Sequence, residues 1–442
     1  MRKTALSSNP LPRILLSPLF RVYLPIVVCF FVINITNPTL LAPLNKHGLL
    51  YANGADGTLK DSFDKTAAFF LVPIKSFLFF VCTAVLLFPL GRSVITGIGK
   101  TLTRKDLLQT LIAMFASLLL TAVFFPVGFG RYYARVSVNP FIQEPNQLYR
   151  RLLIPGLANL YHLNGFLYTG FFWAIVLVAV LLTKLYFRSK GTELSLLHEV
   201  SLLNVGVFIS AYQGPGYPEI AAFLFGMVAL IEFEREGRYS DLQTIAFALA
   251  LMTHESCAFI VFAPMIVFLF GRKAWLPSIL VLLLYATALW SNFSFHLMAP
   301  LRIQAVVSGM PAQEYFRLYP KSVLMGVVYA FKLWWLFVPL ALYYQLKDQL
   351  RVACFVVCGI GLAVASTYIG IDYSRLVAFA TIPVLLCALE AHKRLSSRAF
   401  NAITALSLAL PSFFAVGKLD LITCRGLYYL IYRLVFKLPA PV

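Results

Sequence analysis

The sequence predicts an all-α polytopic membrane protein with about 13 transmembrane helices. Three observations predict it. Of its 442 residues 60% are hydrophobic and only 12% are charged, about half the charged share of a soluble chain. Mean hydropathy is +0.81. Apolar runs of roughly 18 or more residues recur along the chain, each the length of a spanning helix. Lipid offers the backbone no hydrogen bonds, so spanning segments are helices or closed barrels. These runs are too long and too uniformly apolar for barrel strands.

The net charge of +19 does not make nucleic acid an expected partner. The charges sit in short turns between apolar runs, where Lys and Arg set topology and meet anionic lipid, so the expected partner is the bilayer. The seven cysteines form no disulfide framework and no zinc spacing. Cys354 and Cys358, one helical turn apart, read as packing. Arg13 and Arg21 precede an apolar run with no small-residue cleavage site after it, which reads as a first anchor.

In chain order, residues 1–21 are basic and are placed on the cytoplasmic side. Spans follow at 22–36, 67–90, 107–125, 166–183, 196–212 and 220–233, with outer loops at 37–66 and 126–165. Up to residue 241 this topology puts 13 Lys and Arg inside and seven outside, as the positive-inside rule asks. Residues 242–271 fit the pattern less simply. As one helix they would run ~45 Å against a hydrocarbon core of ~30 Å. The polar Thr253-His254-Glu255-Ser256 lies at their midpoint, so a hairpin or broken helix turning at His254–Glu255 is expected. Spans at 275–293, 322–345, 352–371, 374–391 and 400–416 then place 294–321 and Asp372–Arg375 outside. Trp275 and Trp290 mark the two ends of their span, as interfacial tryptophans do. The tail 417–442 reads as an interfacial amphipathic helix or a last span. The chain is thus a single transmembrane domain, residues 1–442.

Under this topology the unusual polar groups share one face, centred on the loop RYYARVSVNPFIQEPNQLYRRLLIPG (131–156). Each has two readings. Arg150 and Arg151 either anchor a helix in lipid headgroups or grip a phosphate with a bidentate fork. Glu219, after Pro218, either starts a helix where a carboxylate favours the dipole or serves a site. His254 and Glu255 either form a turn or bind. Asp372 and Arg375 have i, i+3 spacing, fit for a local ion pair or for a ligand. Asp56, Asp61 and Asp64 are solvated surface or supply a base. Lys332 is an intramembrane lysine, functional by default or paired to a carboxylate across helices.

The segments YRRLLIPGLANLY (149–161), GPGYPEIAAFLF (214–225), LALMTHESCAFIVFAP (249–264) and GIDYSRLVAFATIP (370–383) resemble landmarks of bacterial polytopic glycosyltransferases of the GT-C type and of the related capsule and O-antigen polymerases. The resemblance covers about residues 107–390 and rests on weak motifs. It implies a GT-C-like fold in the cytoplasmic membrane and transfer of a sugar from a polyprenyl-phosphate-linked donor at the outer face. A carboxylate would deprotonate the acceptor hydroxyl, and cations or a divalent metal would stabilise the departing phosphate. Arg150, His254, Glu255, Asp372 and Arg375 fall on the motif positions, with Arg151 and Glu219 beside them. The base does not carry over: Phe129-Gly130-Arg131-Tyr132-Tyr133 holds no acid where the family has an aspartate, which leaves Glu144 or Asp56 as candidates. The rival readings are a transporter or flippase, which places charges near the midplane and breaks its helices, and a non-catalytic envelope scaffold.

Overall fold

The computed structural model describes residues 19–35, 58–98, 102–121, 129–138, 140, 151, 153–256, 258–296, 314, 317–368 and 373–412, with 427, 430 and 434. Among these residues there are helices and no strands. The helices are α1 (Leu24–Ile35), α2 (Thr58–Ile98), α3 (Arg104–Thr121), α4 (Phe129–Val136), α5 (Leu153–Leu160), α6 (Tyr168–Ser189), α7 (Leu196–Leu202), α8 (Gly206–Gln213), α9 (Glu219–Glu236), α10 (Asp241–Thr253), α11 (Trp275–His296), α12 (Pro320–Phe331), α13 (Phe337–Asp348), α14 (Leu350–Ala365), α15 (Tyr373–Ala378), α16 (Thr381–Arg394) and α17 (Ser397–Ala409). The predicted loop 37–66, up to residue 57, residues 297–313, 315 and 316 of the predicted loop 294–321, and almost all of the tail 417–442 lie outside the described residues.

The chain is a membrane protein. Among the described residues, four helical stretches are individually long and apolar enough to cross a bilayer: Ser76–Thr96, Tyr168–Ser189, Pro320–Asp348 and Leu350–Tyr368. α3 turns Leu108, Leu111, Ile112, Phe115 and Leu119 outward, each at least 44% exposed. A stripe of that size at helical spacing suits a lipid-facing surface, since soluble monomers rarely expose one.

Among the described residues, three of the spans expected from sequence are broken into shorter pieces. The apolar run 196–212 is two pieces, α7 and α8. Gly206 sits at φ +57, where the Thr381 hydroxyl presses so close that a Cβ would lie 2.4 Å from its oxygen. The same hydroxyl accepts the Val207 N–H at 2.8 Å. Packing against Thr381 therefore fixes the start of α8. The run 322–345 bends at Lys332, which has φ +51 and leads a 3-10 turn, Lys332–Leu336, into α13. There the Trp334 indole donates to Ser201 Oγ at 3.0 Å, and Lys332 Nζ donates to the Leu410 carbonyl at 2.9 Å. The run 374–391 is also two helices, α15 and α16.

The hairpin expected within 242–271 is present. α10 starts on a capping box, Ser240 with Gln243, and stops where His254 adopts an extended backbone. The returning arm is wound in wide π-type turns, Ala258–Phe262 and Met265–Phe270. Ring pairs Phe247–Phe262 (5.1 Å) and Tyr239–Phe270 (5.7 Å) tie the two arms at matching distances from the turn, which only an antiparallel return produces.

Two polar ends result. α6 shows how far apart they are. Tyr168 at its start donates to the Gly216 carbonyl at 3.0 Å, and Arg188 near its end clasps Asp106 at 2.6 and 3.0 Å. Its 22 residues rise ~33 Å, close to the ~30 Å of a hydrocarbon core.

Candidate functional site

At the end of the bundle marked by Tyr168, the turn Gly214–Pro218 packs against the start of α4. Gly130 lies so close to the Pro215 carbonyl that a Cβ there would fall 1.9 Å from the oxygen, and Gly216, at φ +95, meets Gly130 backbone to backbone. This contact needs glycine on both sides. It sets Tyr133 of α4 and Tyr217 of the turn edge-on, with ring centroids 6.4 Å apart.

Five residues chosen from the sequence meet around those rings. Arg151, just ahead of α5, holds Glu255 in a two-point clasp: Nε to Oε2 at 3.0 Å and Nη2 to Oε1 at 2.8 Å. Its Nη1 donates to the Tyr133 hydroxyl at 3.5 Å. Arg375 of α15 pairs with Glu219, the first residue of α9, and its guanidinium lies 4.1 Å over the Tyr217 ring. The His254 Nε2 stands 3.5 Å from the same Glu219 oxygen, and its ring contacts Phe379 at 5.0 Å. Glu219 starts a helix, where its charge suits the dipole, and its side chain meets Arg375 and His254. Arg375 is paired across the fold to Glu219.

Glu219, His254 and Arg375 are buried, whereas the Glu255 side chain is 35% exposed. The cluster thus opens at Arg151–Glu255 and closes over Glu219–Arg375. Glu219 Oε2 is buried and has no hydrogen-bond partner among the described residues. A buried carboxylate oxygen left without a donor costs free energy. Asp56, Glu144, Arg150 and Asp372 lie outside the described residues. No group of three or more His, Cys, Asp or Glu side chains is placed to hold a metal ion among the described residues.

Protonation follows the geometry. Burial, then the neighbouring Arg151 charge, push the His254 imidazole down to about 3, against the opposing pull of Glu255. Burial alone would raise the Glu255 carboxyl, but the charge and hydrogen bonds of Arg151 outweigh it and hold it below the ordinary carboxylate range. The unfolded chain protonates His254 below about 6.5 and the folded one does not. Stability should therefore fall as pH drops from 6.5, by up to ~1.4 kcal/mol per unit from this residue. Unfolding midpoints measured between pH 6.5 and 4.5, above the carboxylate range, should show a shallower slope in His254→Asn. An identical slope would mean that His254 is not held neutral.

Tyr133 and Tyr168 belong to the site and were not among the residues picked from sequence. The chain has 22 tyrosines and 39 phenylalanines, and nothing in their spacing separates these two. Their signal is spatial, through Gly130 and Gly216. Compared with protein-family models, with curated proteins and with solved structures, the chain matches none.

Proposed function

We propose that the chain is a multi-pass glycosyltransferase or polysaccharide polymerase that takes a sugar from a polyprenyl-phosphate-linked donor at the outer face of the cytoplasmic membrane, with its N-terminus inside. The observation that supports this reading best is the buried Glu219 Oε2, which has no donor among the described residues and is set among two arginines, a neutral histidine and two tyrosine rings. A sugar hydroxyl supplies the missing hydrogen bond, an aromatic face suits a sugar ring, and guanidinium forks suit a phosphate. Glu219 and Glu255 are both arginine-paired, so their part is to orient ligand and arginines. Glu144 or Asp56 is the base that takes the acceptor proton, and Arg150, Arg151 and Arg375 meet the phosphate, with Asp372 beside Arg375. A divalent metal on the phosphate is compatible with this scheme. Transport of a lipid-linked or anionic substrate is the second reading, favoured by the helix breaks at Gly206 and Lys332.

The test uses the full chain in proteoliposomes. Cysteines at 255 and 193, in a cysteine-free background, should label from opposite sides of sealed vesicles, with 255 outside. Supplied with polyprenyl-phosphate-linked hexoses and an acceptor glycan, the chain should form new glycosidic bonds. Arg151→Ala should lose about 100-fold of that rate. Transfer that survives Glu144→Ala combined with Asp56→Ala removes the base assignment. Movement of intact donor across the bilayer without bond formation would select transport.

A further inference from the structure

The end of the bundle away from this cluster holds a cavity of about 370 Å³. It lies between the ends of α6, α9, α13, α14, α16 and the returning hairpin arm. Glu234 lies 15 residues along α9 from Glu219, ~22 Å at helical rise, so this is a different place from the candidate site. The inference below does not rest on the glycosyltransferase reading.

Three properties of the cavity restrict what fits it. Its floor is apolar, with Leu230, Phe233, Phe268, Leu269, Leu386 and Leu389. Its rim carries three cations, Lys190, Arg351 and Lys393, against two acids, Glu234 and Glu390. Lys190 is bound to Glu234 at 2.8 Å, and Glu390 is taken mainly by Arg394, also at 2.8 Å, with Lys393 more distant at 4.0 Å. Arg351 is exposed and has no ion-pair partner among the described residues. Finally, Gln345 is only 3% exposed, lines the cavity and keeps its Oε1 without a hydrogen-bond partner among the described residues.

An occupant must bring an anion for Arg351 and Lys393, a hydrogen-bond donor for Gln345, and hydrocarbon for the floor. A sugar phosphate lacks the hydrocarbon, and a fatty acid lacks the donor. We infer that this cavity binds an anionic glycerophospholipid whose head group carries a free hydroxyl. The phosphate lies at Arg351 and Lys393, the hydroxyl donates to Gln345 Oε1, and the glycerol and first acyl carbons cover Phe233, Phe268 and Leu389. Basic pockets between helix ends are suited to such head groups, each cation contributing ~1 kcal/mol.

The probe is phosphatidylglycerol, titrated into the purified full chain in neutral micelles while the unfolding midpoint is followed. Phosphatidylglycerol should raise the midpoint and phosphatidylcholine should not. Arg351→Ala and Lys393→Ala, both on the rim, should each weaken the effect about fivefold and together about 30-fold. Gln345→Leu removes an unpaired buried polar group, so it should raise the midpoint without lipid. It should also abolish the preference for phosphatidylglycerol over phosphatidylmethanol, which has the same charge and no hydroxyl. Equal shifts from phosphatidylglycerol and phosphatidylcholine, or an unchanged response in the double rim variant, overturn the site. A persisting hydroxyl preference in Gln345→Leu overturns the role of Gln345. An equal shift from inorganic phosphate alone assigns the cations to a free anion and overturns the lipid.

Discussion

Arg375→Ala is expected to destabilise the protein by about 3–5 kcal/mol. It strands Glu219, whose side chain is 4% exposed, as a buried charge beside a histidine that burial keeps neutral. The loss exceeds what the Arg375–Glu219 attraction itself contributes, because desolvation of both charges already offsets much of that attraction. The double variant Arg375→Met with Glu219→Leu tests this directly. It removes both charges while keeping similar volume and should recover most of the lost stability. Chemical or thermal unfolding of the three forms in detergent is the measurement. A single variant as costly as the double one would mean that the cost comes from lost packing over Tyr217, where the guanidinium lies 4.1 Å from the ring. Under the proposed function the double variant folds and transfers no sugar, since the groups that meet phosphate and hydroxyl are gone.

Much of this cluster was legible before any coordinates, for one physical reason. Charge is expensive inside a bilayer, so each charged or polar interruption of an apolar run marks a place where the chain leaves lipid or builds a site. Arg151, Glu219, His254, Glu255 and Arg375 are such interruptions, and they converge. The turn at His254–Glu255 was legible from length, because 30 apolar residues exceed a membrane's thickness as one helix. The helix breaks were less so. His198, Glu199 and Asn204 interrupt 196–212 and Lys332 interrupts 322–345, but a polar residue does not by itself say that a helix ends there; what shapes the breaks is the Thr381 hydroxyl on Gly206 and Val207 and the Trp334 indole on Ser201, contacts between residues 130 or more apart. Glu199 shows the same limit. It follows His198 inside a run that reads as one span, and its partners Gln109, Thr110 and Lys184 come from other helices.

That second network sets up the other large effect. Lys184 Nζ lies 2.5 Å from Glu199 and 3.4 Å from Asp106, and Glu199 is fully buried. Lys184→Met should cost about 3–5 kcal/mol by leaving that carboxylate with neutral donors alone, Gln109 at 2.6 Å and Thr110 at 2.9 Å. Adding Glu199→Gln should restore much of it, because a neutral amide keeps one hydrogen-bonding oxygen and removes the stranded charge. Arg188 continues to neutralise Asp106 in both forms. The value of this experiment lies beside the first one. The two buried pairs are comparable in expected cost and sit at opposite ends of α6. If the Tyr133–Tyr217 end performs the chemistry, Lys184→Met/Glu199→Gln should transfer sugar at the wild-type rate per folded molecule, and Arg375→Met/Glu219→Leu should not. Unfolding curves alone would leave the pairs alike. Equal loss of transfer in both rescued variants would mean that activity follows the integrity of the whole bundle, and the assignment of the site to one end would fail.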